Sequence, residues 1–358
     1  MRGELVRKFI LEHVERHPRD IVRHTMERFS ISRPATLKHL KTLVDGKAIT
    51  STGVTSGRVY RLVPLVEWRK TYALGGVLTE DVLWRDVAPS LDGLPENVLR
   101  IWHYGLTEMF NNAIDHSSGT FVMVDLVRTA ATTQVAIHDD GVGIFRKIQL
   151  ALNLLDPRHS VLELAKGKFT TDPARHSGQG IFFTSRVFDG FRLFDQAASF
   201  SHELGREEDW ILEGETGEGK MRTSGTSVFL HLHNHATQTL KGVFDQYSSP
   251  DVEAFTKTVV PVRLAQYGDD NLVSRSQAKR LVARFDRFRT VVLDFTGVET
   301  IGQAFADELF RVFRRQNPGV ELLSTNANAE VSAMIARVMA EAEALGAQAD
   351  EGQLERLK

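Results

Sequence analysis

The sequence predicts a multidomain chain that combines α+β and α/β architecture, and three observations carry that expectation. At 358 residues the chain exceeds what one hydrophobic core ordinarily organises, so two or three domains are expected. Its charge is uneven: residues 1–63 hold 13 Lys and Arg against 6 Asp and Glu, a balance of +7, and the remainder balances at −9 within a net of −2. The hydrophobic period also changes along the chain. Helical and then hairpin spacing fills 1–63. One long helix with alternating strands fills 95–240, and strands alternating with helices fill 255–345. Residues 64–94 read as a connecting segment.

Composition narrows the function classes. A hydrophobic content of 42% with 25% charged residues is that of a globular protein and excludes wholesale disorder. Cysteine is absent, which removes disulfides, thiolate metal sites and cysteine nucleophiles together. The opening MRGELVRKFILEHVERH has no apolar h-region, and no run approaches 18 uncharged apolar residues. A cytoplasmic protein without membrane contact is expected.

In the basic head, Leu5, Phe9, Ile10 and Val14 keep helical spacing. Pro18 opens a second helix through Ile21, Met26 and Phe29. Ser32 is suited to cap a third helix, with Pro34 in its first turn and Leu37, Leu40, Leu43 and Val44 on one side. Two strand-like runs follow, 48–52 and 58–63, separated by Gly53, Ser56 and Gly57. ISRPATLKHLKTLVDGKAI followed by SGRVYRL resembles the bacterial winged helix-turn-helix families. That resemblance implies a DNA-binding domain whose third helix enters the major groove with Arg33, Thr36, Lys38 and His39, and whose wing brings Arg58 to the duplex. The alternative is a winged helix used for protein contact.

The central stretch carries the chemistry. Across LTEMFNNAIDHSSG, helical spacing puts Leu106, Met109, Phe110, Ala113 and Ile114 on one side and Glu108, Asn112 and Asp115 on the other. A carboxylate and an amide at i, i+4 can hold a water and a metal ion side by side. Two alternating segments, 120–128 and 133–138, read as an antiparallel pair that runs into Asp139-Asp140-Gly141-Val142-Gly143-Ile144. A carboxylate there accepts hydrogen bonds from an amino group, and the glycines let backbone pass close to a flat ligand. Further on, Ser177-Gly178-Gln179-Gly180-Ile181 opens an apolar helix whose N-terminal N–H groups favour phosphate. A last strand carries Gly225-Thr226-Ser227.

These four pieces, in this order, resemble the ATPase superfamily of gyrase, heat-shock chaperone, histidine kinase and mismatch-repair proteins, the Bergerat fold. The resemblance covers about 95–235 and implies ATP and Mg2+ as cofactors. Its N motif, Glu-x-x-x-Asn-Ala-x-Asp, matches Glu108, Asn112, Ala113 and Asp115. The match implies Glu108 as general base and Asn112 as Mg2+ ligand. It further implies Asp139 on the adenine amino group beside Gly141, Gly143 and Ile144, Gly178, Gln179, Gly180 and Ile181 in the phosphate lid, and Thr226 near adenine. Lys166 and Lys168 fall in that lid, either reaching the γ-phosphate or lying on a solvated loop. No phosphoacceptor histidine signature stands in 64–100. His231, His233 and His235 alternate on a strand and so share one face, the spacing of some metal sites; without a cysteine or an evident acidic partner, they read as a polar solvent-facing row.

Strands alternating with helices in 255–345 predict a small, mostly parallel α/β domain. VVLDFTGVETIGQAFADELFR resembles the sulfate-transporter and anti-sigma-antagonist (STAS) domains, most closely a STAS-like domain of unknown function. Where true antagonists offer a phosphorylatable serine, this chain has Gly302, Gln303 and Ala304. In SRSQAKRL, Ser274 reads as a helix cap. Together these features lead to the expectation of a DNA-binding regulator under ATP control, with slow Mg-dependent hydrolysis. The C-terminal domain would meet a protein partner, and dimerisation is common among such ATPases. The alternatives are a serine/threonine kinase of the anti-sigma type acting on a separate protein, and an ATP-driven DNA clamp in defence or repair.

Overall fold

A computed structural model describes residues 2–54, 57–76, 78–170, 178–203, 224–249, 252–266 and 271–355. Three helices lead: α1 (Arg2–His13), α2 (Ile21–Phe29) and α3 (Arg33–Asp45). The hairpin of β1 (Ile49–Thr52) and β2 (Val59–Leu62) follows, with Ile49 opposite Leu62. Ser32 caps α3 as its sequence implies, its Oγ accepting the Ala35 N–H at 3.4 Å. Pro34 sits in the first turn, where its missing N–H costs nothing. The second helix starts at Ile21 rather than at Pro18, after a turn in which His17 Nδ1 meets Asp20 Oδ1. The apolar core of this head includes Ile10, Ile21, Leu40 and Tyr60, and Ala131 from further along the chain joins it.

The connecting segment expected at 64–94 is instead structured. β3 (Val66–Ala73) and α4 (Glu80–Val87) form there, and β3 lies antiparallel to β4 (Phe121–Arg128), which follows α5 (Glu96–His116). The strand was hidden because Glu67, Arg69 and Lys70 interrupt its apolar run. Lys70 and the Tyr72 hydroxyl both turn to Asp86 on α4, at 2.6 and 2.8 Å. β5 (Thr132–Asp139) then pairs antiparallel with β4.

The chain continues through α6 (Ile144–Ala151), α7 (His159–Lys166), α8 (Gly180–Val187), β6 (Gly190–Phe194), β7 (Ser199–Glu203) and β8 (Ser227–His233). It groups into two compact units. One comprises Met1–Val142, Thr184–Leu193 and Thr223–Leu240; the other comprises Gly143–Phe183, Phe194–Arg222 and Lys241–Lys358. In the first unit, hydrogen-bonded neighbours run β3-β4-β5-β8-β6. α5 covers β4 and β5 and buries Trp102, Leu106, Met109 and Phe110 completely or nearly so. Such burial, roughly 1.5–3 kcal/mol for each large apolar side chain, fixes the rotation of α5 about its axis. Its polar side is thereby fixed as well. Gly105 lies on the buried side because a Cβ there would stand 2.4 Å from the Phe188 ring.

The second unit continues with α9 (Leu240–Gln246), β9 (Ser248–Ser249), β10 (Val252–Phe255), β11 (Lys257–Pro261), α10 (Arg275–Val282) and β12 (Thr290–Asp294). α11 (Gln303–Asp307) runs through a π-helical stretch, Glu308–Phe313, into α12 (Arg314–Gln316); β13 (Glu321–Thr325) and α13 (Ala329–Glu355) are the last elements among the described residues. β11, β12 and β13 form a parallel sheet in that order, with Val259 beside Val292 and Val292 beside Leu323. The small parallel α/β domain read from the sequence is therefore present. No helix among the described residues is long and apolar enough to cross a membrane.

Candidate functional site

Asp139 ends β5 and is buried, 5% exposed. Its Oδ1 accepts the N–H of Gly141 at 2.9 Å and that of Thr226 at 3.2 Å. Burial raises the carboxyl pKa above its ordinary value, and these backbone bonds oppose the rise. The neighbouring Asp140 acts differently. Its Oδ1 accepts the N–H groups of Thr120 and Phe121 at 2.6 and 3.0 Å and so fixes the start of β4. The two aspartates are adjacent in sequence, yet only the first is enclosed.

Glycine is required around Asp139 by close backbone approach. A Cβ on Gly225, at φ +92°, would lie 1.8 Å from the Asp139 carbonyl oxygen; one on Gly141 would lie 2.1 Å from the Ser117 carbonyl oxygen. The Val142 N–H donates to that same Ser117 oxygen at 2.9 Å, just past the end of α5. The loop after β5, the C-terminal end of α5 and the start of β8 are thus locked together. Asp139, Gly141 and Thr226 are brought together in one place.

Glu108, Asn112 and Asp115 project from the polar side of α5. Glu108 and Asn112 are half-buried and Asp115 is exposed. Glu108 is near enough to Tyr104 for its charge to act on the phenol, whose pKa burial already raises. The Asn112 Nδ2 is buried and has no hydrogen-bond partner among the described residues. An unmet amide nitrogen of that kind costs about 1–3 kcal/mol.

The remaining nucleotide candidates belong to the second unit. Gly143 precedes α6 at φ +92°, and a Cβ there would stand 2.7 Å from Asp195 Oδ2. Asp195 is a residue sequence reasoning missed. Its Oδ2 accepts the Phe145 N–H at 2.8 Å and its Oδ1 the Ala197 N–H at 2.7 Å, so it closes the N-terminus of α6, which begins at Ile144. Gly178, at φ +70°, passes so near Phe169 that a Cβ would meet its carbonyl oxygen at 2.5 Å. Gln179 gives its carbonyl to the Phe183 N–H at 3.0 Å, and Gly180 and Ile181 start α8. Ser177 lies outside the described residues.

The two lysines expected in a lid both hold protein partners within the second unit. Lys166 is fully buried: its Nζ donates to Glu163 Oε1 at 2.7 Å, Arg280 O at 2.9 Å and Ala283 O at 3.0 Å. It thereby closes the C-terminus of α10. Arg284 donates to Glu163 Oε2 at 2.8 Å and completes the cluster. Lys168 donates to Arg287 O at 2.7 Å and lies over the Phe288 ring at 4.6 Å.

In the head, Arg33, Lys38 and Arg58 are exposed. Thr36 is a correction: it is completely buried and its hydroxyl donates to Ser32 O at 3.2 Å, so it is a packing residue rather than a DNA contact. His39 is half-buried beside Gly3 of α1, and burial followed by the charges of Arg7 and Lys38 lowers its pKa. The row of three histidines also needs correcting. β8 ends at His233, leaving His235 beyond it, and His233 Nδ1 has an acidic partner after all in Asp189 Oδ2 at 2.7 Å.

In the C-terminal part, Ser274 caps α10 in a reciprocal box with Gln277. Ser274, Ser276, Gln277 and Arg280 line, with His159, a cleft of about 440 Å³. Gly302 precedes α11, and a Cβ at this position would stand 2.8 Å from Val273 Cα. Gly302 therefore has a packing reason.

No curated protein and no solved structure matches the chain. A family model does match residues 277–332, the span from α10 into α13: it is the STAS-like domain of unknown function (DUF4325). The chain carries a C-terminal STAS-like domain.

Proposed function

We propose that this protein is an ATP-binding, slowly ATP-hydrolysing regulator that contacts duplex DNA through a winged helix at its N-terminus, with nucleotide state controlling DNA or partner binding. The observation that carries the nucleotide reading is the enclosed Asp139, held by Gly141 and Thr226 N–H groups where backbone stands too close to admit an unstrained Cβ on Gly141 or Gly225. A buried carboxylate facing an adenine amino group gains a charge-assisted hydrogen bond of about 1.5–3 kcal/mol. The partnerless Asn112 Nδ2 suits the same reading, because a buried N–H donor without a partner can meet a phosphate or water oxygen.

The residues fit Mg-ATP. Asn112 would hold Mg2+ through its amide oxygen, and the ion would neutralise charge developing on the phosphates. Glu108 on the same side of α5 would orient and deprotonate the attacking water. Asp139 and Thr226 would select adenine, and Gly141 beside them would let the backbone pass close to it. For the head, a balance of +7 in 1–63 and the exposure of Arg33, Lys38 and Arg58 favour phosphate contact. The STAS-like domain is the surface for a protein partner. Incubation with γ-labelled ATP tests the whole reading: released phosphate supports hydrolysis, label on protein supports a kinase, and no nucleotide binding removes both.

A further inference from the structure

We propose that Asp189, His231 and His233 form a binding site for one divalent transition-metal ion of the zinc class. His231 and His233 are two residues apart on β8, so the strand alternation sends both imidazoles to one side. Their rings lie 5.3 Å apart. Asp189 immediately precedes β6, the neighbour of β8 in the sheet, and Gly190 leaves room beside His231: a Cβ there would stand 3.3 Å from the His231 Cβ. One ligand atom from each of the three side chains lies within 4.8 Å of the other two. Ligand atoms around a tetrahedral zinc ion stand about 3.3 Å apart, given bonds near 2.0–2.1 Å. Small side-chain rotations on fixed strands therefore suffice to converge them.

Donor chemistry selects the ion. Two imidazoles and one carboxylate, without thiolate, suit zinc and its first-row neighbours and disfavour magnesium and calcium, which take oxygen ligands. The carboxylate is already oriented: Asp189 Oδ1 accepts the Gln238 amide at 3.0 Å and Oδ2 accepts the His233 N–H at 2.7 Å. Outer partners of this kind hold first ligands in place. Charges of both signs from the head reach His233: Glu12 and Glu15 act on it as anions and Arg16 as a cation. The site shares no residue with the nucleotide assignment.

The test uses the full chain, freed of metal by chelator dialysis and titrated with zinc against a chromogenic chelator. The wild type is expected to hold about one zinc more than His231→Gln, His233→Gln or Asp189→Asn, while His235→Ala matches the wild type. Gln238→Ala should bind about 10- to 100-fold more weakly. Cobalt supplies an independent readout: the wild type should give the intense visible bands of a low-coordinate site, and His231→Gln should lose them. His231→Gln keeps the Asp189–His233 bond, so it remains informative if the other variants unfold. Equal zinc binding by wild type and His231→Gln, or none by the wild type, would overturn the site.

Discussion

Asp139 Oδ1 accepts the Thr226 N–H at 3.2 Å, and the Asp139 N–H returns the connection by donating to Thr226 O at 3.0 Å. The two residues are 87 positions apart. This reciprocal link between the end of β5 and the approach to β8 builds a buried acceptor out of ordinary backbone, and the nucleotide reading depends on it.

Gly225 should tolerate no side chain. Gly225→Ala must place a Cβ where the Asp139 carbonyl stands, at 1.8 Å, on a backbone with φ +92°. Positive-φ strain and overpacking together are expected to cost on the order of 2–6 kcal/mol. Urea unfolding should show a lower midpoint than wild type, or no folded baseline. A midpoint matching wild type would show that the two segments are not locked.

Glu108 and Asn112 should separate chemistry from binding. Glu108→Ala is expected to keep ATP affinity within a few-fold and to lower turnover by about 10²–10⁴, the range for a general base. Asn112→Ala should weaken ATP binding only when Mg2+ is present. Equal loss of binding in both variants, by calorimetry with and without Mg2+, would make Glu108 structural.

Lys166 predicts a pH dependence of stability. Burial lowers its pKa from 10.5 to about 8, with the Glu163 charge opposing the fall. Between those values the unfolded chain keeps a proton that the native chain has released, so native stability rises with pH across about 8 to 10.5. Below about 8 the ammonium is charged in both states, and the cost of burying it is fully present. Wild type should gain stability relative to Lys166→Met between about pH 8 and about pH 10 in urea titrations. Parallel curves would contradict the burial.

The head should bind DNA chiefly through phosphate. Arg58→Ala in the full chain is expected to lower affinity for every duplex and to flatten the slope of log affinity against log salt by about 0.9. Lys38→Ala and Arg33→Ala should also alter sequence preference if they reach base edges. Ala131 belongs to the head's own core, so the full chain, rather than 1–63, is the sample to compare. An unchanged salt slope in Arg58→Ala would assign the hairpin to protein contact.

Local signals were legible where one short segment carries the whole instruction. Ser32 before Pro34 specifies its helix start, and helical spacing from Leu106 to Ala113 specifies which side of α5 is buried. Strand-helix alternation specifies the parallel sheet of β11, β12 and β13. What stayed illegible depends on partners far along the chain. β3 is a strand because β4 pairs with it, despite its charges. Thr36 follows the surface pattern by residue type, yet it faces the head's core. Lys166 resembles a loop lysine until Glu163, Arg280 and Ala283 surround it, and Asp189 and Asp195 acquire roles only through His233 and Phe145.

The central claim is that Asp139 recognises the nucleotide base, and calorimetric titration of ATP into wild type and Asp139→Asn tests it most directly. The amide replaces a charged acceptor with a neutral group of the same shape. The expected loss of about 1.5–3 kcal/mol corresponds to roughly ten- to a hundredfold weaker binding. The variant should stay folded by circular dichroism, and GTP, which presents a carbonyl in place of the amino group, should bind the wild type weakly. Unchanged ATP affinity in a folded Asp139→Asn protein would contradict the account.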